Sequence, residues 1–305
     1  RDLDQVVVDT TVMEKAIAHP TDSRLYHRSR ERLVKLAKRH GIPLRQSYAR
    51  KSRHALAKVG RYGHARQYKR LRRETKRLKT WLGRVVRDIE RKIADQPDHQ
   101  AICANELQLA HRLLKQQRQD KRKLYSLHAP EVECISKGKV RKPYEFGVKV
   151  SVATTLRSNF VLASHALPGN PYDGHTLPKT LLRCFETTGK VVKAAFVDRG
   201  YRGCQSTDDM TLTIAGQRRG MTKALKRKLK RRNAIEPIIG HMKAEGHLDR
   251  NYLIGPLGDA INALMAGVGQ NLRMILKKLR LLFAWLLDCG SAPRCNRLVV
   301  VGARP

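Results

Sequence analysis

A mixed α/β layered sheet with helices packed on its faces, interrupted after its first strand by a long basic helical insertion, is the fold class that three observations predict. The chain opens on the apolar run Val6-Val7-Val8. It then passes into helical periodicity dense in arginine and lysine. From Lys137 onward, short β-branched segments alternate with amphipathic ones, the order of elements that builds a layered core.

With 305 residues and 41% hydrophobic content, the chain can bury one large core or two small ones. Lys and Arg number 63 against 26 Asp and Glu, a formal net charge of +37. Such a chain repels itself unless a polyanion screens it. Nucleic acid is the usual partner, because each phosphate contact releases a condensed counterion. A cationic ribosome-associated or chromatin-like protein satisfies the same charge. An acidic membrane surface is the rival, but there is no run of 18 apolar residues and no stretch that reads as a signal peptide, so no membrane partner is expected. The six cysteines, at 103, 134, 184, 204, 289 and 295, form no C-x-x-C pair, and the histidines lack zinc-site spacing. Idle thiols in a reducing cytoplasm follow, with association with the nucleoid when DNA is bound.

Val6 to Asp9 reads as a short buried strand ending in polar Asp9-Thr10-Thr11. A domain seldom begins so abruptly on such a strand, and residues are expected upstream. The segment from Arg24 to Tyr125 holds 31 of the basic residues. Within it, Arg28 to His40 reads as a helix stopped by Gly41-Ile42-Pro43. Tyr62 to Ala94 reads as one long helix with Leu71, Leu78, Leu82, Val85, Ile89 and Ile93 on a single stripe. Ala104 to Leu124 reads as its antiparallel partner across Gln96-Pro97-Asp98. The Arg- and Lys-covered outer faces are either solvated or in contact with DNA, and the excess of one sign favours DNA.

Tyr144 to Val152 and Phe160 to Leu167 read as a hairpin. His175 to Thr187 reads as a helix ended by Gly189. Val191 to Val197 is a buried strand, and Met210 to Ala215 a shorter one. Thr222 to about Glu245 reads as one basic helix. Gly255 to Leu287 is an apolar helix that Gly267 and Gly269 are expected to bend.

Three acids fall where such a fold can unite them: Asp9 and Asp198 at strand ends, and Glu236 in a late helix. Carboxylates are the donors that hard cations such as Mg²⁺ prefer, and two such ions can serve an in-line phosphoryl transfer. Taken singly, each acid has a plain structural reading, a turn cap for the aspartates and a balancing charge for the glutamate. Offsets of four and seven place Arg232, Glu236 and Lys243 on one helix face, where an ion-pair ladder is the alternative. Pro237 is expected to distort that helix locally.

At these residues the chain resembles insertion-sequence transposases with an RNase-H-like D-D-E catalytic domain. Their signature near the last acid is tyrosine, two residues, arginine, three residues, glutamate, six residues, lysine. Arg232, Glu236 and Lys243 fit it, while Leu229 stands in place of the tyrosine. Asp198-Arg199-Gly200-Tyr201, Val8-Asp9-Thr10-Thr11 and Asn170-Pro171-Tyr172-Asp173-Gly174-His175-Thr176 fit the family's other motifs. The resemblance covers roughly residues 5 to 285 and implies an RNase-H-like sheet with Asp9, Asp198 and Glu236 as catalytic metal ligands. It implies Mg²⁺, for which Mn²⁺ can substitute, cleavage at transposon ends and strand transfer into target DNA. Double-stranded DNA is the implied partner, with a homodimer on DNA inferred from the pairing of two ends.

Residues 1–289 are then expected to form the catalytic domain, interrupted by the insertion over about 20–135. Residues 290–305 are expected to be a loose tail, and the N-terminal helical DNA-binding region common in complete members is expected to be missing. Arg199, Tyr201, Arg202, Arg232 and Lys243 are expected to contact DNA, and so is the run Arg218 to Arg232, with nine basic residues and no acid. Asp173 and His175 either assist the site or cap the helix they begin. Glu145 points towards the site or towards solvent. An inactive remnant that still binds DNA, and a metal-dependent nuclease without strand transfer, are the competing functions.

Overall fold

The opening strand, β1 (Gln5–Lys15), is the centre of the sheet and runs well past Asp9. The structure, a computed structural model, describes residues 2–136, 142–204, 210–216 and 222–291. β1 pairs antiparallel with β3 (Tyr144–Thr155), from Val6 opposite Thr155 to Glu14 opposite Gly147. On its other edge it pairs parallel with β5 (Ala194–Val197), beyond which lies parallel β6 (Thr211–Ile214). β2 (Glu133–Ser136) and β4 (Val161–Leu167) pair antiparallel with successive stretches of β3. β7 (Arg250–Asn251) adds a short parallel pair at the end of β1. The family-independent part of the expectation, a mixed sheet flanked by helices, is what the chain forms.

Side-chain alternation divides the core in two. Val6, Val8, Ala195 and Val197 pack with Leu177 and Cys184 under α5 (Asp173–Thr188). Val7, Met13 and Phe196 face the opposite way, against Ile235, Ile238 and Met242 of α7 (Ile235–Ala244) and Ala263 and Ala266 of α8 (Gly255–Ser291).

The helices between β1 and β2 have a core of their own. α1 (Asp22–Arg39), α2 (Ala49–His64), α3 (Tyr68–Ile93) and α4 (Pro97–Lys115) bury Leu33, Leu78, Leu82, Ile89, Cys103 and Leu113 together. α1 begins at Asp22, earlier than expected, because the Thr21 side chain accepts from the Arg24 amide. The single helix expected over Tyr62 to Ala94 is two helices, broken where Arg66 takes a φ of 54°. α4 starts with Pro97 in its first turn, where a missing amide costs nothing.

The expected helix from Thr222 to Glu245 is also two, α6 (Lys223–Arg232) and α7. Pro237 explains the break. It has no amide to offer the Asn233 carbonyl four residues back, and that carbonyl takes the Glu236 amide at 3.3 Å instead. In α8, Gly267 permits close packing on β4. A Cβ there would stand 3.0 Å from Ser164 Cβ and 3.2 Å from Val161 Cγ1. Asn271 fixes the same contact through both the amide and the carbonyl of Val161, each at 2.8 Å.

No helix among the described residues is long and apolar enough to cross a membrane. The expected tail lies almost wholly outside the described residues, as does the start of the basic run, Arg218 to Met221.

Candidate active site

Strand register sets the first two acids side by side. β1 and β5 pair Val6 with Ala195 and Val7 with Phe196. Two residues further along each chain come Asp9 and Asp198, with the same side-chain parity as Val7 and Phe196 and so on the face that α7 covers. Asp9 is in the middle of its strand, not at its end, because pairing with β3 carries β1 onward. The rim arises because β5 stops at Val197. Asp198 follows in extended conformation and caps the single 3-10 turn Arg199–Tyr201, accepting from the Gly200 amide at 2.8 Å.

Glu236 arrives through Arg232. The Arg232 guanidinium donates to Asp9 Oδ2 at 3.4 Å and stands 3.7 Å from Glu236 Oε1. Asn233 and Ala234 keep right-handed helical angles, so the i, i+4 relation survives the break between α6 and α7. Asp9 Oδ1 accepts from the Thr10 amide at 2.7 Å. The Arg232 side chain is 10% exposed and that of Glu236 65%. Arg232 was expected to contact DNA; it is buried against the acids, where it pairs with the largely buried Asp9. Lys243 is half-buried, two turns further along α7, about 10 Å by helical rise.

Tyr201 corrects the sequence reading outright. It was expected to touch DNA from a loop, yet it is fully buried in the core under α5. Burial raises its phenol far above the ordinary tyrosine range, and the Asp173, Asp9 and Asp198 carboxylates push the same way. Its ring therefore underpins the acid cluster. Arg199 and Arg202 are exposed. The Arg199 guanidinium lies over Gly216, whose φ of 92° favours glycine.

Asp173 enters the site more firmly than the sequence suggested. It makes no side-chain cap to its own helix. Its Oδ1 accepts from Lys149 Nζ and from Thr10 Oγ1, each at 3.0 Å. A Cβ on Gly200 would stand 3.0 Å from Asp173 Oδ2 and 3.0 Å from Asp198 Oδ1, so the two carboxylates flank one glycine. The signal for it was Lys149, a lysine inside an apolar strand, which needs a buried acid. His175 is exposed, its ring edge-on to Tyr172 at 5.5 Å. Glu145 is buried on β3, two residues beyond the Glu14–Gly147 pair, and so at the far end of the sheet from Asp9.

The donors gathered here are all carboxylate oxygens, the set that hard divalent cations take. Among the described residues, no three metal-ligating side chains already form a cage. The Arg232 guanidinium occupies the space between Asp9 and Glu236.

Comparison with known proteins decides the family. Residues 113–267 match the family described as "Transposase DDE domain". The chain belongs to this transposase family. Members of the family generally use divalent metals. The matched segment carries Asp173, Asp198, Arg232, Glu236 and Lys243, and begins after Asp9 and most of the helical insertion. Over 66 residues the chain is 59% identical to a Rhizobium meliloti protein described as "Uncharacterized protein ORF8 in nfe locus". That stretch is 22% of this chain and 32% of the other, so the chain spans about a third of that relative's length. No solved structure matches significantly.

Proposed function

We propose that the chain is the catalytic portion of a DNA transposase of RNase-H-like fold, cutting DNA at transposon ends and joining it to target DNA by metal-dependent phosphoryl transfer. The observation that carries this is the register pairing Val7 with Phe196, two residues before Asp9 and Asp198, together with the tie of Glu236 to Asp9 through Arg232. Asp9, Asp198 and Glu236 would hold Mg²⁺, or Mn²⁺ in its place, and the bound ion would activate the attacking oxygen and stabilise the leaving one. Arg232 keeps Asp9 and Glu236 oriented towards each other. Tyr201 and Asp173 stiffen the strand end beneath them. Arg199, Arg202 and Lys243, around the same rim, would position the phosphate backbone. The unit is residues 1–289, with the helical insertion as an extra DNA-contacting element, and its place is the cytoplasm and nucleoid.

The exposed apolar flank of α8, including Leu272, Leu279, Phe283 and Trp285, supports a homodimer on DNA. A DNA-binding remnant without catalysis is the second reading, favoured by the exposure of Glu236 and its tie to Arg232.

Purified protein with Mg²⁺ or Mn²⁺ should nick DNA carrying the transposon ends, and Asp198→Asn should abolish nicking while sparing binding. Nicking by the Asn variant at the parent rate would refute the catalytic assignment. Binding without nicking in the parent would establish the remnant. Nicking without joined product would establish a nuclease.

A further inference from the structure

On the helical insertion, between the α1–α2 connection and α3, lies a cavity of about 460 Å³ whose lining includes Arg45, Tyr48, Arg84, Arg87 and Arg91 and the acids Asp88 and Glu90. We infer that this cleft is a binding site for the phosphodiester backbone of duplex DNA, separate from the carboxylate site and used to hold DNA while the acids act on it. It rests on the transposase reading only for the choice of DNA as the polyanion.

The cleft is built, not incidental. Arg84, Arg87 and Arg91 are three and four residues apart and therefore share one face of α3, and all three are exposed. Like charges at that spacing repel one another; Arg91 has the Asp88 carboxylate at 3.5 Å, which leaves Arg84 and Arg87 to be met by an outside anion. Among the described residues, neither Arg84 nor Arg87 has a carboxylate in ion-pair reach, and the Glu90 that lines the cavity is engaged by His111. The fourth guanidinium comes from the connecting loop, pinned by a buried acid: Asp88 accepts from the Arg45 amide at 2.8 Å. The Arg45 guanidinium lies 3.9 Å from the same Asp88, and its side chain is 75% exposed.

Tyr48 makes the wall. It takes a φ of 54°, a left-handed conformation that a bulky side chain adopts only under constraint. In that conformation its ring stacks on Trp81 at 6.0 Å and 13°, and its hydroxyl accepts from Arg84 at 3.5 Å. From Arg84 to Arg91 the helix rises about 10 Å, long enough to meet more than one phosphate. Guanidinium forks match phosphate oxygens two at a time, which suits the site to a backbone and not to base edges.

A matched stripe on the same helix supplies the control. Arg70, Arg73 and Arg77 have the same spacing, but two of the three, Arg73 and Arg77, lie 3.9 and 2.9 Å from buried Glu74, against one of three in the first stripe, Arg91 beside Asp88. The test is fluorescence anisotropy of the full chain with a short labelled DNA duplex, in chelator, across a salt series. The triple variant Arg84→Ala/Arg87→Ala/Arg91→Ala should bind at least about tenfold more weakly, with the slope of log affinity against log salt reduced by about two to three. The Arg70→Ala/Arg73→Ala/Arg77→Ala control should lose less than about threefold in affinity. Equal losses in the two triples would overturn the site, as would an unchanged affinity in the first or equal binding of duplex RNA by the parent. Should the first triple fail to fold, Arg84→Glu against Arg70→Glu decides the matter by the same comparison. Binding is read without metal and nicking with it, so loss of one reading leaves the other standing.

Discussion

Arg232 donates to the carboxylate of Asp9 at 3.4 Å, joining two residues 223 positions apart in the chain. The same guanidinium stands 3.7 Å from Glu236. One cation thus couples the central strand to the helix that follows it last in the site, and its removal takes this ion pair from a half-buried Asp9. Arg232→Ala should lower stability by about 1–2 kcal/mol in urea denaturation, less than the cost for a fully buried pair because Glu236 is open to solvent. It should also reduce nicking at least about tenfold. Arg232→Lys should recover much of the stability and little of the activity, since a point charge cannot span two carboxylates. An alanine variant with the parent's urea midpoint would refute the coupling.

Lys149 and Asp173 should behave as a unit. Each is largely buried, and each would be left uncompensated by loss of the other. Lys149→Met and Asp173→Asn should each cost about 2 kcal/mol, with the double variant about 1–2 kcal/mol less destabilised than their sum. Strict additivity in a double-mutant cycle would mean that the pair contributes nothing.

Two glycines should respond differently to alanine. At Gly147 a Cβ would collide with the Met13 carbonyl across the β1–β3 pair, a backbone obstacle that cannot move alone. Gly147→Ala should cost about 3 kcal/mol or more. At Gly200 the obstacles are the Asp173 and Asp198 carboxylates, which can give way. Gly200→Ala should cost about 1 kcal/mol and yet suppress nicking, because it pushes apart the acids of the site. Calorimetric melting and nicking assays on the two variants separate these outcomes.

His165 should make the fold acid-sensitive. Burial lowers its pKa to about 4, and Lys179 and Arg183 on α5 add to the effect. Both ring nitrogens are buried without a partner among the described residues. The unfolded chain, with an ordinary histidine pKa near 6.5, binds the proton more readily. Stability is therefore full above about 6.5 and falls as pH drops towards about 4. His165→Leu should flatten that part of the stability profile in urea titrations at a series of pH values. An identical acid limb in both proteins would remove His165 as its source.

Much of this was legible in the sequence, and the misses have physical causes. Val6-Val7-Val8 and Ala195-Phe196-Val197 announced buried strands, and Asp9 and Asp198 after them announced a rim. The end of β1 was misplaced because Thr10-Thr11-Val12-Met13 reads as polar at first yet continues the pairing with β3. β2 was missed because Glu133-Cys134-Ile135-Ser136 is too short and mixed to show a period. Tyr201 was misread because a motif gives spacing and not burial. The distortion expected at Pro237 is a full break before α7, because its missing donor falls on Asn233. Asp173 was undervalued because its partners, Thr10 and Lys149, lie on strands distant in the chain.

The position of β1 at the centre of the sheet also governs how the chain must fold during synthesis. β1 leaves the ribosome long before either neighbour: its partners β3 and β5 begin only at Tyr144 and Ala194. The helical insertion, with its own core, can collapse in the interval, while the valines of β1 wait unpaired. Closing those long loops makes for a high contact order and slow assembly, so the strand that carries Asp9 is the segment most in need of a chaperone's protection on the nascent chain.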